Sequence, residues 1–305
     1  MSQTTPRGLS DWQTMLATVP ALLLPVLLAL WLATQWGWRD EPAALSSVNL
    51  LTVEVSSSRA LAALFDEHDY HWPPAERVPA LALRAFPADL GEQPINKKKR
   101  LFFQSLLPLV LAENARLQEK REWLLGLDSR RPLSAEDAEQ LGALRERYKL
   151  TATDDAEQDI ANLLRHIDKV PVALVLAQAA NESGWGSSRF AQQANNLFGE
   201  WTWRAEEGIA PLVRNEGSRH YVRRFDSLAD SVRAYIYNLN AGHAYADLRR
   251  MRAEMRARGA ERFDALSLAT GLERYSARGE EYVAEIQQMI RGNRLQQLGS
   301  LELEH

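Results

Sequence analysis

Val170-Pro171-Val172-Ala173-Leu174-Val175-Leu176-Ala177-Gln178-Ala179-Ala180-Asn181-Glu182-Ser183-Gly184-Trp185-Gly186 is the stretch whose reading decides the fold of this chain. From Val170 to Ala180 every residue except Gln178 is apolar, and a helix apolar on all sides is normally buried. Pro171 suits a first-turn position, where its missing N–H costs nothing. Glu182 falls at the end of this run, half desolvated, with aromatic residues just beyond it. Desolvation disfavours the charged form of a carboxyl group and raises its pKa, and a proton held near neutrality is what a general acid needs. Gln178, four residues earlier, shares a helix face with Glu182. The small residues Ala173, Ala177 and Ala180 around that face leave room for a groove. The ordinary reading of such a glutamate is a capped or ion-paired carboxylate.

The residues beyond the helix shift that balance. Ser183-Gly184-Trp185-Gly186 turns the chain tightly, and Asn195-Asn196-Leu197-Phe198-Gly199 comes next at loop spacing. Aromatic faces with amides nearby match the apolar face and the hydroxyl edge of a sugar ring. Glu200 to Arg224 alternates in places around Asn215-Glu216-Gly217 and reads as a β-hairpin or irregular lobe. Asp226-Ser227 caps a helix to Asn240 whose stripe is Val232, Tyr235, Ile236 and Leu239. Further helices are expected over Ala244–Arg258, Ala260–Gly271 and Glu280–Arg291.

Upstream, Asp155–Arg165 is helical, and Ser134–Tyr148 is a helix opened by a Ser134/Asp137 capping box. Leu101–Leu125 is a long helix bent at Pro108. The basic run Lys97-Lys98-Lys99-Arg100 at its start reads as a solvated helix end or as a contact to a phosphate. Val78–Pro94, with Pro79, Pro87 and Pro94, reads as an ordered loop with short turns. Arg59–His68 is a short amphipathic helix stopped by His71-Trp72-Pro73-Pro74, and Leu50–Val55 is strand-like within a polar linker.

The N-terminal segment is set apart from the globular part. Met15 to Trp36 holds no charged residue and is about as long as the roughly 20 residues that cross a bilayer. Arg7 precedes it, while Asp11 and Arg39-Asp40-Glu41 blur the orientation signal. Trp31, Trp36 and Trp38 suit interfacial positions. The Trp31-Leu32-Ala33 exit fits a signal-peptidase site poorly, so an uncleaved anchor is preferred to a cleaved signal peptide. Either one places the remainder outside the cytoplasm, and a buried helix is the remaining alternative.

Composition narrows the chemistry. The 305 residues carry a net charge of −4, which does not suggest a general nucleic-acid binder, and the absence of cysteine excludes thiol catalysis and disulfides. Of the six histidines only His68 and His71 lie close together, in what reads as a polar linker, so neither a metal nor a cofactor is expected.

Ala177–Gly186, Asn196-Leu197-Phe198-Gly199 and Phe225-Asp226-Ser227 together resemble the N-acetylglucosaminidases of glycoside hydrolase family seventy-three, which include flagellar-rod peptidoglycan hydrolases and bacterial autolysins. Asn195–Trp201 and Ser231–Asn240 are similar to the Bax-type group of Gram-negative bacteria. Tyr275-Ser276-Ala277-Arg278-Gly279-Glu280-Glu281-Tyr282 corresponds to the family's late tyrosine motif. The resemblance is specific over Asp155–Asn293 and weaker over Leu61–Arg147.

It implies a mainly α fold: a lysozyme-like helical core with a small β-hairpin lobe, preceded by an extra helical region and an N-terminal transmembrane segment. The implied domains are 1–40 for the anchor or signal, 41–150 for linker and accessory helices, 151–294 for the glucosaminidase domain and 295–305 for a tail. The implied activity is cleavage of the β-1,4 bond after N-acetylglucosamine in peptidoglycan, with Glu182 protonating the leaving oxygen. Tyr275 falls on the family tyrosine that lines the cleft, and it also reads as a core tyrosine with a bonded hydroxyl. Residues expected to meet the glycan strand are Gln178, Trp185, Asn196, Phe198, Trp201 and Tyr282. For the second carboxylate, Glu200, Glu206, Glu207 and Glu216 all lie in the right region. Glu216 fits by its sequence distance from Glu182, and Glu200 by its closeness to the cleft motif, so both stay open. The sugar's own 2-acetamido group is a further alternative. A lytic transglycosylase is a competing reading, although those enzymes usually have Gly-Leu-Met-Gln where this chain has Asn-Leu-Phe-Gly. A non-catalytic glycan-binding or assembly protein of the envelope is another.

Overall fold

Ten α-helices and seven short strands form the described part of the protein, with one helix at the centre. The computed structural model describes residues 48–128, 131–210 and 220–304. The apolar span 15–36 and the Asn215-Glu216-Gly217 turn lie outside the described residues. Among the described residues no helix is long and apolar enough to cross a membrane.

The helices are α1 (Ser58–Glu67), α2 (Ile95–Gly126), α3 (Ala135–Arg147), α4 (Ala156–His166), α5 (Val172–Ser183), α6 (Arg189–Ala194), α7 (Leu228–Ala241), α8 (Ala246–Ala257), α9 (Ala265–Ala269) and α10 (Glu280–Gly292). The apolar run is α5, and Val172 through Ala180 are all buried. Helices α2, α9 and α10 and the 3-10 turn Leu295–Ser300 pack around it, and α7 lies against α2. The covering on all sides explains why α5 has no polar face. From residue 48 onward the chain packs as one compact unit, so the region before residue 150 shares its core with the helices that come after it.

Several elements differ from their sequence reading. Pro171 is the cap of α5 and not a first-turn residue. Helix α2 starts at Ile95, taking in the basic run as its first turns. The Val78–Pro94 loop contains strands. Strand β1 (Leu51–Val53) pairs in parallel with β3 (Leu81–Leu83), and β2 (Arg77–Val78) with β7 (Glu302–Leu303). The expected helix Ala260–Gly271 shrinks to α9 followed by a 3-10 segment, Thr270–Tyr275. Gly271 lies in that 3-10 segment, where a Cβ would lie 2.7 Å from the Leu248 Cα, so the chain passes α8 closely there. The closing residues, read as a tail, bury Leu295 and Leu298 and add β7.

Caps fall at Ser134 and Ser227 as expected, and Asp155, read as helical, is a cap as well. Ser134, Asp155 and Ser227 each accept a backbone N–H at the start of α3, α4 and α7, an arrangement worth about 1 kcal/mol per helix.

The entry to α5 is clamped from three sides. Asn114 of α2 exchanges two hydrogen bonds with Val170, its amide donating to the carbonyl at 2.8 Å and its oxygen accepting the N–H at 2.9 Å. Buried Arg252 of α8 donates to the carbonyls of Arg165, His166, Asp168 and Lys169 and to the Asn240 oxygen. The Asp168 carboxylate accepts two hydrogen bonds from Arg256, at 3.1 and 2.8 Å, and lies 3.5 Å from Arg121. Burial pushes the Asp168 pKa up. The Arg256 hydrogen bonds and the charges of Arg252, Arg121 and Arg256 outweigh this and hold it below the usual carboxylate value.

The small lobe is a three-stranded antiparallel sheet in the order β4 (Trp201–Thr202), β6 (Tyr221–Arg223), β5 (Gly208–Ile209). Its register sets Trp201 opposite Val222 and Gly208 opposite Arg223.

Candidate active site

Glu182 occupies the last turn of α5, half-buried at the mouth of the core. Its Oε1 accepts a hydrogen bond from the Tyr282 hydroxyl of α10 at 2.8 Å. That hydroxyl accepts in turn from the Gln178 amide nitrogen at 2.8 Å, and the Gln178 oxygen accepts from the Tyr235 hydroxyl of α7. The relay Tyr235–Gln178–Tyr282–Glu182 leaves each group one orientation, and such chains polarise one another. Burial raises the Glu182 pKa, opposed by the hydrogen bonds of Tyr282 and Asn181 and by the charge of Arg278, and the result lies above the usual value.

The turn after Glu182 is backbone-determined. Gly184, Trp185 and Gly186 have φ of 56°, 62° and 73°, all left-handed. Gly186 has no alternative, since a Cβ would lie 2.7 Å from the Phe86 ring. Trp185 is the unusual member, because a bulky residue at positive φ is strained. Its ring lies edge-on to Phe102 and Phe103, at 5.8 and 5.2 Å between centroids, with the Lys99 ammonium 4.4 Å from its centre. Trp185, expected at the glycan, is thus packed against α2. An indole beside two phenyl rings gains more there than in water.

The Asn195–Gly199 segment is a support. Asn196, only 2% exposed, accepts the Glu200 N–H at 3.0 Å and donates to the carbonyls of Glu200 and Arg223, both at 2.8 Å. Phe198 is buried and stacks on Tyr235 with centroids 3.8 Å apart, and its carbonyl accepts the half-buried Tyr275 hydroxyl at 2.7 Å. Gln178 is fully buried. These motif residues were expected to touch sugar. Their polar atoms are instead used on neighbours, because buried amides and hydroxyls must find partners inside the fold.

Tyr275 stacks on Tyr282 at 5.3 Å, with Tyr235 and Tyr245 at 6.4 and 6.3 Å from its ring. The structure therefore gathers Glu182, Gln178, Phe198, Tyr275 and Tyr282 around one aromatic cluster. Two members, Tyr235 and Tyr245, were not singled out as site residues. Tyr235 was readable only as part of an apolar stripe, although a tyrosine in such a stripe needs a partner for its hydroxyl.

Of the lobe carboxylates, Glu206 is exposed, and Glu207 pairs with Arg204 at 2.6 Å and accepts from Thr202 at 3.2 Å. Glu216 lies outside the described residues. Glu200 is half-buried, with its Oε1 enclosed and without a hydrogen-bond partner. Burial pushes its pKa up to about 7, with Arg223 opposing. Trp201 is 56% exposed and lies flat on His220 at 3.9 Å, and Trp203 is 74% exposed. Among the described residues no group of acidic or histidine side chains could hold a metal ion.

Known proteins are similar to this chain over the same region. The glucosaminidase family, described as mannosyl-glycoprotein endo-beta-N-acetylglucosaminidase, matches residues 158–295. Protein bax of Escherichia coli (strain K12) is 31% identical over 186 residues, 61% of this chain and 66% of that protein. No solved structure matches. The matched segment runs from within α4 to the turn after α10 and contains every residue of the site except those contributed by α2 and the Phe86 loop.

Proposed function

The chain carries, over residues 158–295, a domain of the glucosaminidase family, and on that premise we propose that it is a peptidoglycan hydrolase, an endo-β-N-acetylglucosaminidase with Glu182 as its general acid. The carrying observation is the placement of Glu182: a half-buried carboxyl group, held by the Tyr282 hydroxyl, with a pKa raised by burial. In this reading the bond from C1 of N-acetylglucosamine to the bridging oxygen breaks, its electron pair stays on that oxygen, and Glu182 supplies the proton. Tyr282 fixes the carboxyl orientation, and Tyr275 holds the Asn196–Gly199 segment to the cluster through the Phe198 carbonyl. Trp201, with one face on His220 and the other open, offers an apolar surface to a sugar ring. The glycan strand is thus the partner, and no cofactor enters. The apolar span 15–36 is read as the anchor that keeps the enzyme on the periplasmic side of the inner membrane, where that substrate lies.

Purified sacculi provide the test. The wild-type protein releases fragments with N-acetylglucosamine at the reducing end, and Glu182→Gln lowers the rate by about a hundred- to ten-thousand-fold, the usual worth of a general acid. Anhydro-muramyl ends would make the protein a lytic transglycosylase instead. An undiminished Glu182→Gln rate would remove Glu182 from the acid role.

A further inference from the structure

Tyr282 orients Glu182, and the group that orients Tyr282 lies on the surface beside it. The Tyr282 ring is buried and stacks on Tyr275 with the two planes 8° apart. A second planar group, the Arg278 guanidinium, lies over the Tyr282 ring, 5.6 Å from its centre. Arg278 comes from the turn between the 3-10 segment and α10. The Arg278 N–H donates to the Ser276 hydroxyl at 3.3 Å, and its carbonyl accepts the Glu281 N–H at 3.2 Å. From this turn the guanidinium reaches across to α10 and donates to Glu285 at 2.6 Å. Glu285 is three residues beyond Tyr282, so the two share a face of the helix. The bridge from Arg278 to Glu285 therefore spans the ring whose hydroxyl donates to Glu182.

Stability gives little reason for this pair. The Arg278 and Glu285 side chains are 52% and 39% exposed, and ion pairs so exposed add little to the folded state. Their place beside the acid has more content. The positive charge of Arg278 favours the ionised form of Glu182, and the negative charge of Glu285 disfavours it. The titratable groups around Glu182 are Tyr282 and Glu285 of α10, Arg278 of the preceding turn, Tyr235 of α7 and Tyr275 of the 3-10 segment. Burial keeps the three tyrosines neutral. Among the described residues, Arg278 and Glu285 are thus the leading charges on the acid, and they act in opposite senses.

We propose that Arg278 and Glu285 are a positioning pair for Glu182, the guanidinium holding the Tyr282 ring in place and the two opposed charges setting the balance between acid and carboxylate. Neither residue touches sugar in this role; both act through Tyr282 and through the field at Glu182. The consequence for hydrolysis rests on the glucosaminidase reading, whereas the action on the carboxyl group does not. Two functions are separable within the pair. A planar guanidinium lies flat on an aromatic ring, which a lysine ammonium does not reproduce, while the charge itself is common to both.

The experiment compares the full-length wild type with Arg278→Gln, Arg278→Lys and Glu285→Gln, with melting curves to confirm folding. The Glu182 carboxyl carbon is titrated by NMR, its signal identified by its loss in Glu182→Gln, and pH profiles are recorded on purified sacculi. In Arg278→Gln the Glu182 midpoint and the alkaline limb of the profile both move up, because the charge favouring the carboxylate is gone. In Glu285→Gln both move down. Arg278→Lys keeps the midpoint nearer to wild type than Arg278→Gln does, yet its kcat falls with KM little changed, because the ring loses its planar support. Midpoints that stay put, or move in the same direction in Arg278→Gln and Glu285→Gln, overturn the charge balance. An undiminished kcat in both Arg278 variants overturns the hold on the ring. Opposite midpoint shifts in a protein that releases no glycan fragments uphold the action of the pair on Glu182 and defeat the glucosaminidase reading alone.

Discussion

At the scale of single residues, Tyr282 decides how Glu182 behaves. Its hydroxyl donates to the carboxylate and so favours the ionised form, working against the burial that favours the acid. Removing the hydroxyl in Tyr282→Phe leaves burial less opposed and moves the Glu182 pKa further up. The protonated acid then persists to higher pH, so the alkaline limb of the activity profile shifts upward while the maximal rate falls through lost orientation. A profile whose alkaline limb moves down would mean that the hydroxyl does not act on Glu182. The place of Glu182 at the end of a buried apolar helix was legible in the sequence, because that helix is read from its own residues, whereas its bond to Tyr282, a hundred residues on, was not. Gln178 and Asn196 were legible as motif members but not in their roles. A motif shows which residue types recur, whereas whether an amide faces sugar or a neighbouring hydroxyl depends on α7 and α10, which lie far away in sequence.

At the scale of elements, the placement of α5 depends on both of its ends. Its entry is held by the arginines converging on Asp168. Asp168→Asn leaves those guanidinium groups without their anion and costs about 3 kcal/mol. Because the folded-state pKa of Asp168 is depressed, its contribution is complete above the unfolded carboxylate pKa and is lost as pH falls through the folded value. The gap between variant and wild type in denaturant melts should therefore close on acidification, and a gap independent of pH would contradict the linkage. The exit of α5 depends on Gly186. Gly186→Ala meets the Phe86 ring and a positive φ together, so it lowers stability by about 1–3 kcal/mol. A neutral melt for that variant would show that the turn can rearrange. Caps such as Ser134 and Ser227 were legible because a cap is local. The close passage of Gly271 over Leu248 was not, because it depends on α8, which is a separate element in the sequence.

At the scale of the whole molecule, helix α2 belongs to the same core as the site, although it lies outside the segment that matches the glucosaminidase family. The sequence separated the two by composition and motif, which do not report shared burial. Phe102, Phe103, Leu106 and Val110 of α2 are buried in that core, and Phe102 and Phe103 flank Trp185, three positions after Glu182. Trimming the protein to the family borders 158–295 would strip α2 from the central helix and leave its apolar flank in water. Such a fragment should aggregate or show only loose helicity by circular dichroism, while a piece beginning near residue 48 should melt cooperatively. A cooperative melt from the shorter fragment would show the opposite, that α2 can be removed. The strained indole turn beside Glu182 thus sets a lower limit on how small a stably folded piece of this protein can be cut.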